Sequence, residues 1–385
     1  TGVKLADAVL GRHVADAGAL PEMVGLVAWG TAAMRTQGDD AAEVLALLGV
    51  RPTWHPSSRR VTGLEVVPLE ELGRPRIDVT LRISGFFRDA FPHLVGLLDD
   101  AVTTVAGLDE RDEDNYVAKH ARAEAARLAG ELDQAEAWRR STTRIFGSKP
   151  GTYGAGLSQL LETQDWRDDR DLAAVYEAWG GFAYGRGLHG VAAAGAMRAC
   201  FEQIEVAVKN VDSREHDHLD SDDYYQYHGG MVATVRALRG GREPAAYLGD
   251  SADPERVKVR TLAEETRRVF RARVANPAWI GSMVRHGFKG AAELAATVDY
   301  LFGYDATTGA TSDWMYEQVA EKYLLDEHLA AFMDQANPWA ARGIAEKLLE
   351  AADRGMWAEP KDSTLDAIRE RYLALEDALE GATTP

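Results

Sequence analysis

The stretch NVDSREHDHLDSDDYYQYHGGM, residues 210–231, is a polar centre around which the rest of the chain is organised. Its carboxylates and imidazoles are Asp212, Glu215, Asp217, Asp220, Asp222, Asp223, His216, His218 and His228. Apolar runs that we predict to be helical lie on either side, at residues 191–208 and 232–238. A polar segment between buried helices costs free energy unless its groups are satisfied, and carboxylate with imidazole suits a divalent metal ion. The alternative interpretation is a solvated acidic loop whose aspartates cap helices.

Length and composition indicate a globular chain. Its 385 residues are enough for two or three domains, and 46% of them are hydrophobic and 27% charged. The single cysteine, Cys200, excludes an intramolecular disulfide and a cysteine-cluster metal site. The net charge of −18 argues against nucleic acid and anionic membrane as partners, but it permits metal cations and a basic protein.

The sequence also lacks targeting signals. No apolar run approaches the roughly 20 residues of a membrane span, and no signal peptide opens the chain. We therefore expect a cytoplasmic protein. The opening Thr1, where a Met would stand, suggests a fragment of something longer.

Short apolar strands alternate with helices in the first part of the chain. We predict strands at residues 23–29, 61–67 and 77–83, and helices at residues 5–17, 39–48 and 86–105. This alternation is typical of a parallel α/β layer, whereas helical patterns dominate after Asp109. We therefore predict a small parallel α/β domain at residues 1–108, followed by a larger, mainly helical domain at residues 109–385 that carries the polar centre.

Known catalytic motifs are mostly absent. No GxxxxGK[ST], GxSxG or HExxH occurs in the sequence, so the commonest hydrolases are excluded and any ATP is hydrolysed by another chain. GRGLHG at residues 185–190 matches GxGxxG, but a dinucleotide fold needs a strand before it, where we predict a helix. We interpret these glycines as points of close backbone approach to a flat ligand or a neighbouring helix.

Three loops interleave basic side chains with glycine and aromatic residues, although the protein is acidic. Their candidate ligand-binding residues are Lys149 and Tyr153 in the first loop, Tyr184, Arg186 and His189 in the second, and Arg285, His286 and Lys289 in the third. Such loops suit an anionic organic ligand, because the cations meet carboxylates while the rings cover apolar area. The structural alternative is that each cation stabilises the C-terminal end of a helix.

Five long motifs resemble, in the same order, the C-terminal part of the cobaltochelatase large-subunit (CobN) family. They are WGTAAMRTQGDDAAEVLALLGVRP (29–52), ELGRPRIDVTLRISGFFRDAFP (71–92), KPGTYGAGL (149–157), the polar centre, and NPAWIGSMVRHGFKGAAELAATVDYLF (276–302). The family is similar to the H subunit of magnesium chelatase, but KPGTYGAGL and DSREHD resemble the cobalt branch more. Large subunits of this family are far longer than this chain, so we expect a C-terminal portion.

The resemblance implies an ATP-dependent cobaltochelatase. The family's large subunit binds the tetrapyrrole and the metal, and it inserts Co(II), a substrate ion, into hydrogenobyrinic acid a,c-diamide in aerobic cobalamin biosynthesis. Partner AAA+ subunits bind ATP and Mg and hydrolyse the ATP. Two alternatives remain, which are a magnesium chelatase H-type subunit acting on protoporphyrin and a non-catalytic scaffold that docks the ATPase.

The resemblance supplies no matched list of catalytic positions, so the assignment of the polar centre rests on chemistry. Insertion needs a weak, transient metal site and a base that accepts two ring N–H protons. We predict that Asp212, Glu215 and His216 act as metal ligands and proton acceptors, and that His218 and Asp220 are further metal ligands. The residues of the three basic loops are predicted to bind the substrate carboxylates.

Overall fold

The structure, a computed structural model, describes residues 1–383. The chain folds into two compact units. Unit 1 contains Thr1–Glu215 and Gln226–Thr261, and unit 2 contains His216–Tyr225 and the chain from Leu262 onward. The chain therefore passes from unit 1 into unit 2 and back again within the polar centre.

The described strands all lie in unit 1 and form two sheets. They are β1 (Met23–Ala28), β2 (Val50–Trp54), β3 (Val61–Val66), β4 (Asp78–Ile83), β5 (Ile145–Gly147), β6 (Phe182–Gly185), β7 (Leu188–Ala192), β8 (Val206–Val211), β9 (Ala245–Asp250) and β10 (Lys258–Thr261). Eight of them form one sheet in the order β10-β9-β8-β1-β4-β5-β6-β7, and β2 pairs with β3 in a separate antiparallel hairpin.

Helices make up most of the rest. They are α1 (Gly2–Ala17), α2 (Gly30–Thr36), α3 (Asp39–Leu48), α4 (Leu69–Leu72), α5 (Gly85–Ala90), α6 (Pro92–Ala106), α7 (Tyr116–Leu128), α8 (Gln134–Ser141), α9 (Leu157–Glu162), α10 (Asp169–Gly180), α11 (Ala194–Phe201), α12 (Asp222–Tyr224), α13 (Gly230–Leu238), α14 (Leu262–Val269), α15 (Pro277–Arg285), α16 (Gly287–Thr308), α17 (Asp313–Val319), α18 (Glu327–Ala336), α19 (Pro338–Asp353) and α20 (Asp362–Thr383). The part of the chain that the structure describes also contains three π-helical turns, at Tyr225–Gly229, Phe270–Val274 and Ala320–Leu324.

The centre of the large sheet is parallel. β9, β8, β1, β4 and β5 run in one direction, while β10, β6 and β7 pair antiparallel with their neighbours. Every residue of β1 and of β4 is buried, as expected for parallel strands that are covered by helices on both faces. The apolar sequences MVGLVA and DVTLRI meet this requirement, apart from buried polar groups on β4 such as Asp78, which is paired with Arg144 at 2.9 Å.

The carboxyl ends of the parallel strands come together at one edge of the sheet, where α/β proteins bind ligands. Trp29 follows β1, Ser84 follows β4 and Asp212 follows β8. The Ser84 hydroxyl accepts hydrogen bonds from the backbone N–H groups of Phe87 (3.1 Å) and Gly30 (3.3 Å), so that it caps α5 and ties it to the start of α2. This edge therefore positions the first part of the polar centre.

Unit 2 is helical, and its core contains several large aromatic side chains. Two of them form hydrogen bonds through their hydroxyls: Tyr316 donates to Asp305 at 2.7 Å, and Tyr323 donates to the Val274 carbonyl at 2.8 Å. A Cβ on Gly303 of α16 would lie 2.6 Å from the Tyr225 ring, so this glycine lets the end of the polar centre pack against the helix. The polar centre is thus partly built into the core of unit 2.

The predicted fold class is confirmed, because an α/β sheet is combined with a helical part. The sheet is larger than predicted, since six of its eight strands, β5 to β10, follow residue 108. The division into compact units accordingly falls elsewhere than the predicted boundary between residues 108 and 109. Residues 384 and 385 of the predicted second domain lie outside the described residues.

Two local predictions were wrong, and a third missed a strand. The run at residues 191–208 is not one helix but spans the end of β7, α11 and the start of β8, because short apolar runs do not distinguish buried strands from buried helices. The predicted helix at residues 86–105 breaks into α5 and α6, since Pro92 cannot continue a helix but begins one well. The GRGLHG segment lies in the β6–β7 hairpin, so a strand precedes it but no helix follows to hold a phosphate.

Candidate functional site

The polar centre begins at the carboxyl end of β8 with Asp212. Its carboxylate accepts hydrogen bonds from Nε (2.7 Å) and Nη2 (2.8 Å) of Arg35, which lies in α2 directly after β1. Burial opposes the charge of Asp212, but the hydrogen bonds and the positive charge of Arg35 outweigh it and hold its pKa below the ordinary value. Asp212 is therefore an ionised carboxylate that is paired with the Arg35 guanidinium.

A buried polar cluster precedes Asp212 on β8. The Asn210 amide donates to carboxylates of α3, at 2.9 Å to Asp40 and 2.5 Å to Glu43. The Lys209 ammonium is fully buried, has no hydrogen-bond acceptor within the described residues, and lies 4.2 Å from the centre of the Trp29 indole ring. Burial raises the pKa of Glu43 to about 8 and lowers the pKa of Lys209.

Sequence reasoning missed this cluster, because its members come from β8 and from a helix about 170 positions earlier. The only available signal was that both segments belong to motifs that carry the family resemblance. The cluster places ionisable groups below the carboxyl edge of the sheet, where burial makes it unfavourable for each group to be charged.

The next predicted ligands are more exposed. Glu215 is exposed and ends the first segment of unit 1, where its backbone N–H donates to Ser213 Oγ at 3.1 Å. His216 opens the first segment of unit 2; it is exposed, and its Nδ1 lies 3.7 Å from a carboxylate oxygen of Asp220. Asp220 is also 3.1 Å from the Arg273 guanidinium, while burial raises its pKa.

Arg273 anchors the polar centre within unit 2. Its Nε and Nη2 each donate to the Asp217 carboxylate at 2.8 Å, and its Nη1 donates to Thr297 at 3.1 Å. The guanidinium also lies over the Trp279 ring, 5.2 Å from its centre. This arginine was not predicted as a site residue, yet it is bound to one aspartate of the polar centre and lies near a second.

His218 is buried rather than exposed to a ligand. Its Nε2 is 3.0 Å from the Thr266 hydroxyl, and its ring packs edge-to-face with Tyr304 at 5.2 Å between centroids. Burial lowers the pKa of His218 to about 4, so the imidazole is neutral at pH 7. A neutral imidazole is the form that binds metals, but this ring is only 1% exposed.

The predicted metal ligands are divided between the two units. Asp212 and Glu215 belong to unit 1, whereas His216, His218 and Asp220 belong to unit 2. Within residues 1–383, no group of three or more His, Cys, Asp or Glu side chains is placed so that it could hold a metal ion. The joint role of these five residues as metal ligands stays a prediction.

The first basic loop, residues 147–156, is held in place by Arg88 of α5, which sequence reasoning missed. The buried guanidinium donates from Nη1 to the carbonyl oxygens of Ser148 (3.1 Å), Lys149 (3.0 Å) and Thr152 (3.2 Å). One side chain thus gathers three carbonyls of a glycine-rich segment that no helix or strand supports. The Lys149 side chain projects from this loop and is exposed.

The same arginine also positions Tyr153. Arg88 donates to the Asp89 carboxylate at 2.6 and 2.7 Å, and Asp89 accepts a hydrogen bond from the Tyr153 hydroxyl at 2.8 Å. The Tyr153 ring lies over the guanidinium, 5.4 Å from its carbon, and is 61% exposed. An exposed ring with its hydroxyl held in this way presents an apolar face to solvent.

The second basic loop is the β6–β7 hairpin, which packs on the first. The buried Tyr184 donates its hydroxyl to the Ser148 carbonyl at 2.5 Å and meets the exposed His189 edge-to-face at 5.7 Å. Tyr184, His189 and Arg88 line a cleft of about 340 Å³ together with apolar side chains. Arg186, by contrast, is paired with Asp100 at 2.7 Å.

The third basic loop lies in unit 2, at the corner between α15 and α16. Arg285, His286 and Lys289 are exposed there, and no hydrogen bond or ion pair within residues 1–383 engages their side chains. The structure therefore brings the residues of the first and second loops together within unit 1, and those of the third loop together within unit 2.

A unit with a parallel sheet, ionisable groups at the carboxyl edge of that sheet and two basic loops is joined to a helical unit that carries the third basic loop. These features define an α/β protein suited to an anionic ligand and a cation. A family model described as CobN/Magnesium Chelatase matches residues 1–364. The chain belongs to the CobN/magnesium chelatase family, which confirms the resemblance seen in its motifs.

Relatives of known name agree with this assignment. The aerobic cobaltochelatase subunit CobN of Sinorhizobium sp. is 51% identical over 94% of this chain and 28% of its own length. The rice (Oryza sativa subsp. japonica) magnesium-chelatase subunit ChlH is 35% identical over 98% of this chain and 27% of its own length. The solved structure of the catalytic subunit of cobaltochelatase from Mycobacterium tuberculosis is 62% identical with a TM-score of 0.94, over 98% of this chain and 31% of that one.

The chain spans about 30% of the length of these relatives. Among the described residues, no helix combines the length and the apolarity needed to cross a membrane.

Proposed function

We propose that this chain is the C-terminal portion of a cobaltochelatase large subunit, which inserts Co(II) into hydrogenobyrinic acid a,c-diamide. The observation that carries the proposal is the identity of 51% with the Sinorhizobium CobN subunit, against 35% with the rice magnesium-chelatase subunit. The substrate of the cobalt branch carries several carboxylates, and Lys149, Arg285 and Lys289, which form no ion pair within the described residues, complement them.

The carboxyl edge of the sheet supplies the proposed metal and proton chemistry. Asp212 and Glu215, with His216 at the start of unit 2, receive Co(II) and accept the two protons that leave the ring nitrogens. His218 and Asp220 are further ligands in this proposal. The ion pair between Arg35 and Asp212 competes with the metal ion and so weakens its binding. Insertion requires such weak binding, because a tight site would retain the ion.

The basic loops are proposed to orient the macrocycle through its carboxylates. In unit 1 these residues are Lys149, Tyr153, Tyr184, Arg186 and His189, and in unit 2 they are Arg285, His286 and Lys289. The contribution of Arg186 is smaller, because it must exchange its exposed ion pair with Asp100 for the substrate.

ATP hydrolysis is assigned to partner AAA+ subunits. The chain contains no GxxxxGK[ST] motif that would cradle the phosphates of ATP. Its net charge of −18 leaves a large acidic surface on which a basic partner can dock.

The proposal is tested by titrating the 385-residue chain with hydrogenobyrinic acid a,c-diamide or protoporphyrin, followed by absorbance, with and without Co(II). We expect saturable binding of the corrinoid. When Co(II), ATP and the partner ATPase subunits are added, the corrinoid spectrum should change with the unmodified chain but not with the double variant Asp212→Asn/His216→Ala. The matched control Asp253→Asn, which removes a half-buried carboxylate that pairs with Arg256 and accepts a hydrogen bond from the backbone N–H of Glu255, should behave like the unmodified chain. Tighter binding of protoporphyrin would favour the magnesium branch, and failure of a folded chain to bind either macrocycle would refute the proposal for this portion.

A further inference from the structure

The corner between α15 and α16 is a tightly built turn. Gly287 adopts a left-handed conformation with φ of 58°, which reverses the chain after α15. A Cβ on Gly290 would lie 1.8 Å from the Met283 carbonyl oxygen, so the first turn of α16 touches the backbone of α15. Residues 283–290 are therefore held in one arrangement by backbone packing, and their side chains point outward from a rigid support.

Helix α15 leaves apolar surface uncovered next to this corner. None of its nine residues is buried, although the sequence PAWIGSMVR is mostly apolar. Val284 is 38% exposed, and Phe288 at the start of α16 is 67% exposed. An exposed phenylalanine beside an uncovered helix face is typical of a surface that meets a ligand or a partner.

Two cations and a histidine lie next to this apolar surface. Arg285 in the last turn of α15 is explained by the helix dipole, which favours a cation there. Lys289, however, lies in the first turn of α16, where the dipole disfavours a cation. Together with His286 these side chains are exposed and unpaired within the described residues, so helix stability does not account for the cluster.

We infer that residues 283–290 form the surface on which the macrocycle lies, with Phe288 against its face and Arg285, His286 and Lys289 around its carboxylates. This inference rests on the proposed function and extends it, because it assigns the apolar contact to Phe288. A macrocycle with carboxylated arms offers a flat apolar face with anionic groups at its rim, and the corner presents the complementary pattern. The rigid backbone lowers the entropy that is lost on binding.

The test uses the 385-residue chain and uroporphyrin, an octacarboxylate macrocycle, as the probe in an absorbance titration without cobalt or ATPase subunits. We expect Phe288→Ala to raise Kd about 3- to 10-fold, as loss of one aromatic contact implies. Lys289→Glu should raise Kd at least as much, and the effect should shrink at high salt because exposed charges are screened.

Two control variants match these changes elsewhere in unit 2. Leu373→Ala removes an apolar side chain that is 62% exposed, and Arg267→Glu reverses an exposed cation that forms no ion pair with any residue from 1 to 383. Both control variants should bind uroporphyrin with a Kd within twofold of that of the unmodified chain. Urea unfolding should show that all four variants are folded.

Normal binding by the Phe288 and Lys289 variants would overturn the inference while the proposal of tetrapyrrole binding stood. If these variants bound uroporphyrin normally but failed to associate with the ATPase subunits, the corner would be a docking surface for protein and the inference would equally fail. A folded, unmodified chain that bound no macrocycle would overturn both.

Discussion

Replacement of Arg88 by alanine is expected to release the first basic loop while the rest of unit 1 stays folded. Three charge-assisted hydrogen bonds to carbonyls would be worth about 1.5–3 kcal/mol each if they acted alone. Each carbonyl has a second donor, however: Tyr184 for Ser148, and two groups of Thr152 for Lys149. The Thr152 carbonyl likewise accepts from Ser148 Oγ. We therefore expect the free energy of opening the first basic loop to fall by about 2–4 kcal/mol, which is less than the sum of the three hydrogen bonds.

Chymotrypsin reports this loss directly, because Tyr153 lies in the loop and its ring is 61% exposed. When the loop opens and closes faster than it is cut, the cleavage rate follows the population of the open form. A loss of about 2 kcal/mol then raises the rate of cleavage after Tyr153 about 30-fold. The same variant should weaken binding of the carboxylated macrocycle, because Lys149 and Tyr153 are no longer held in position.

Arg170→Ala is the matched control, because that arginine forms an exposed ion pair with Asp168 whose loss should be small. Arg88→Lys keeps the charge but not the planar fork of donors, so its cleavage rate should lie between those of the unmodified chain and Arg88→Ala. Equal cleavage rates after Tyr153 in Arg88→Ala and the unmodified chain would refute the role assigned to Arg88.

Further predictions concern buried groups. Between pH 4.5 and 8, unit 1 should lose stability as the pH rises, because folded Glu43 (pKa about 8) keeps a proton that the unfolded chain releases near 4.5. Between these two pH values the free energy of unfolding should fall by at most roughly 5 kcal/mol. In urea unfolding across the same range, the stability of Glu43→Gln should depend less on pH than that of the unmodified chain. Unit 2 should lose stability as the pH falls from 6.5 through 4, because buried His218 has a pKa of about 4. The free energy of unfolding should fall by roughly 3 kcal/mol over this range, and His218→Gln should remove this loss. A variant whose stability kept the pH dependence of the unmodified chain would contradict the burial-lowered pKa of His218. Gly290→Ala should distort the corner, because the new Cβ meets the Met283 carbonyl, and this should weaken uroporphyrin binding more than Gly281→Ala, whose Cβ meets nothing.

The sequence by itself determined the elements with strong local patterns. The all-apolar run around β1 and the apolar run containing β4 predicted buried parallel strands, and the glycine before Phe288 marked the turn between two helices. The five motifs predicted the family, and the polar stretch marked the residues after β8. These features depend on residues that are close in sequence, whose spacing and backbone preferences act locally.

Only the tertiary structure decided which polar groups meet. Asn210 reaches Asp40 and Glu43 across about 170 positions, and Arg88 gathers a loop about 60 positions later. The tertiary structure also buried His218, which the sequence placed in an exposed-looking acidic run, and assigned His216–Tyr225 to the helical unit. Such contacts depend on how distant segments pack, and packing sets burial, desolvation and therefore the charge state of each group. Residue spacing along the chain carries none of that information.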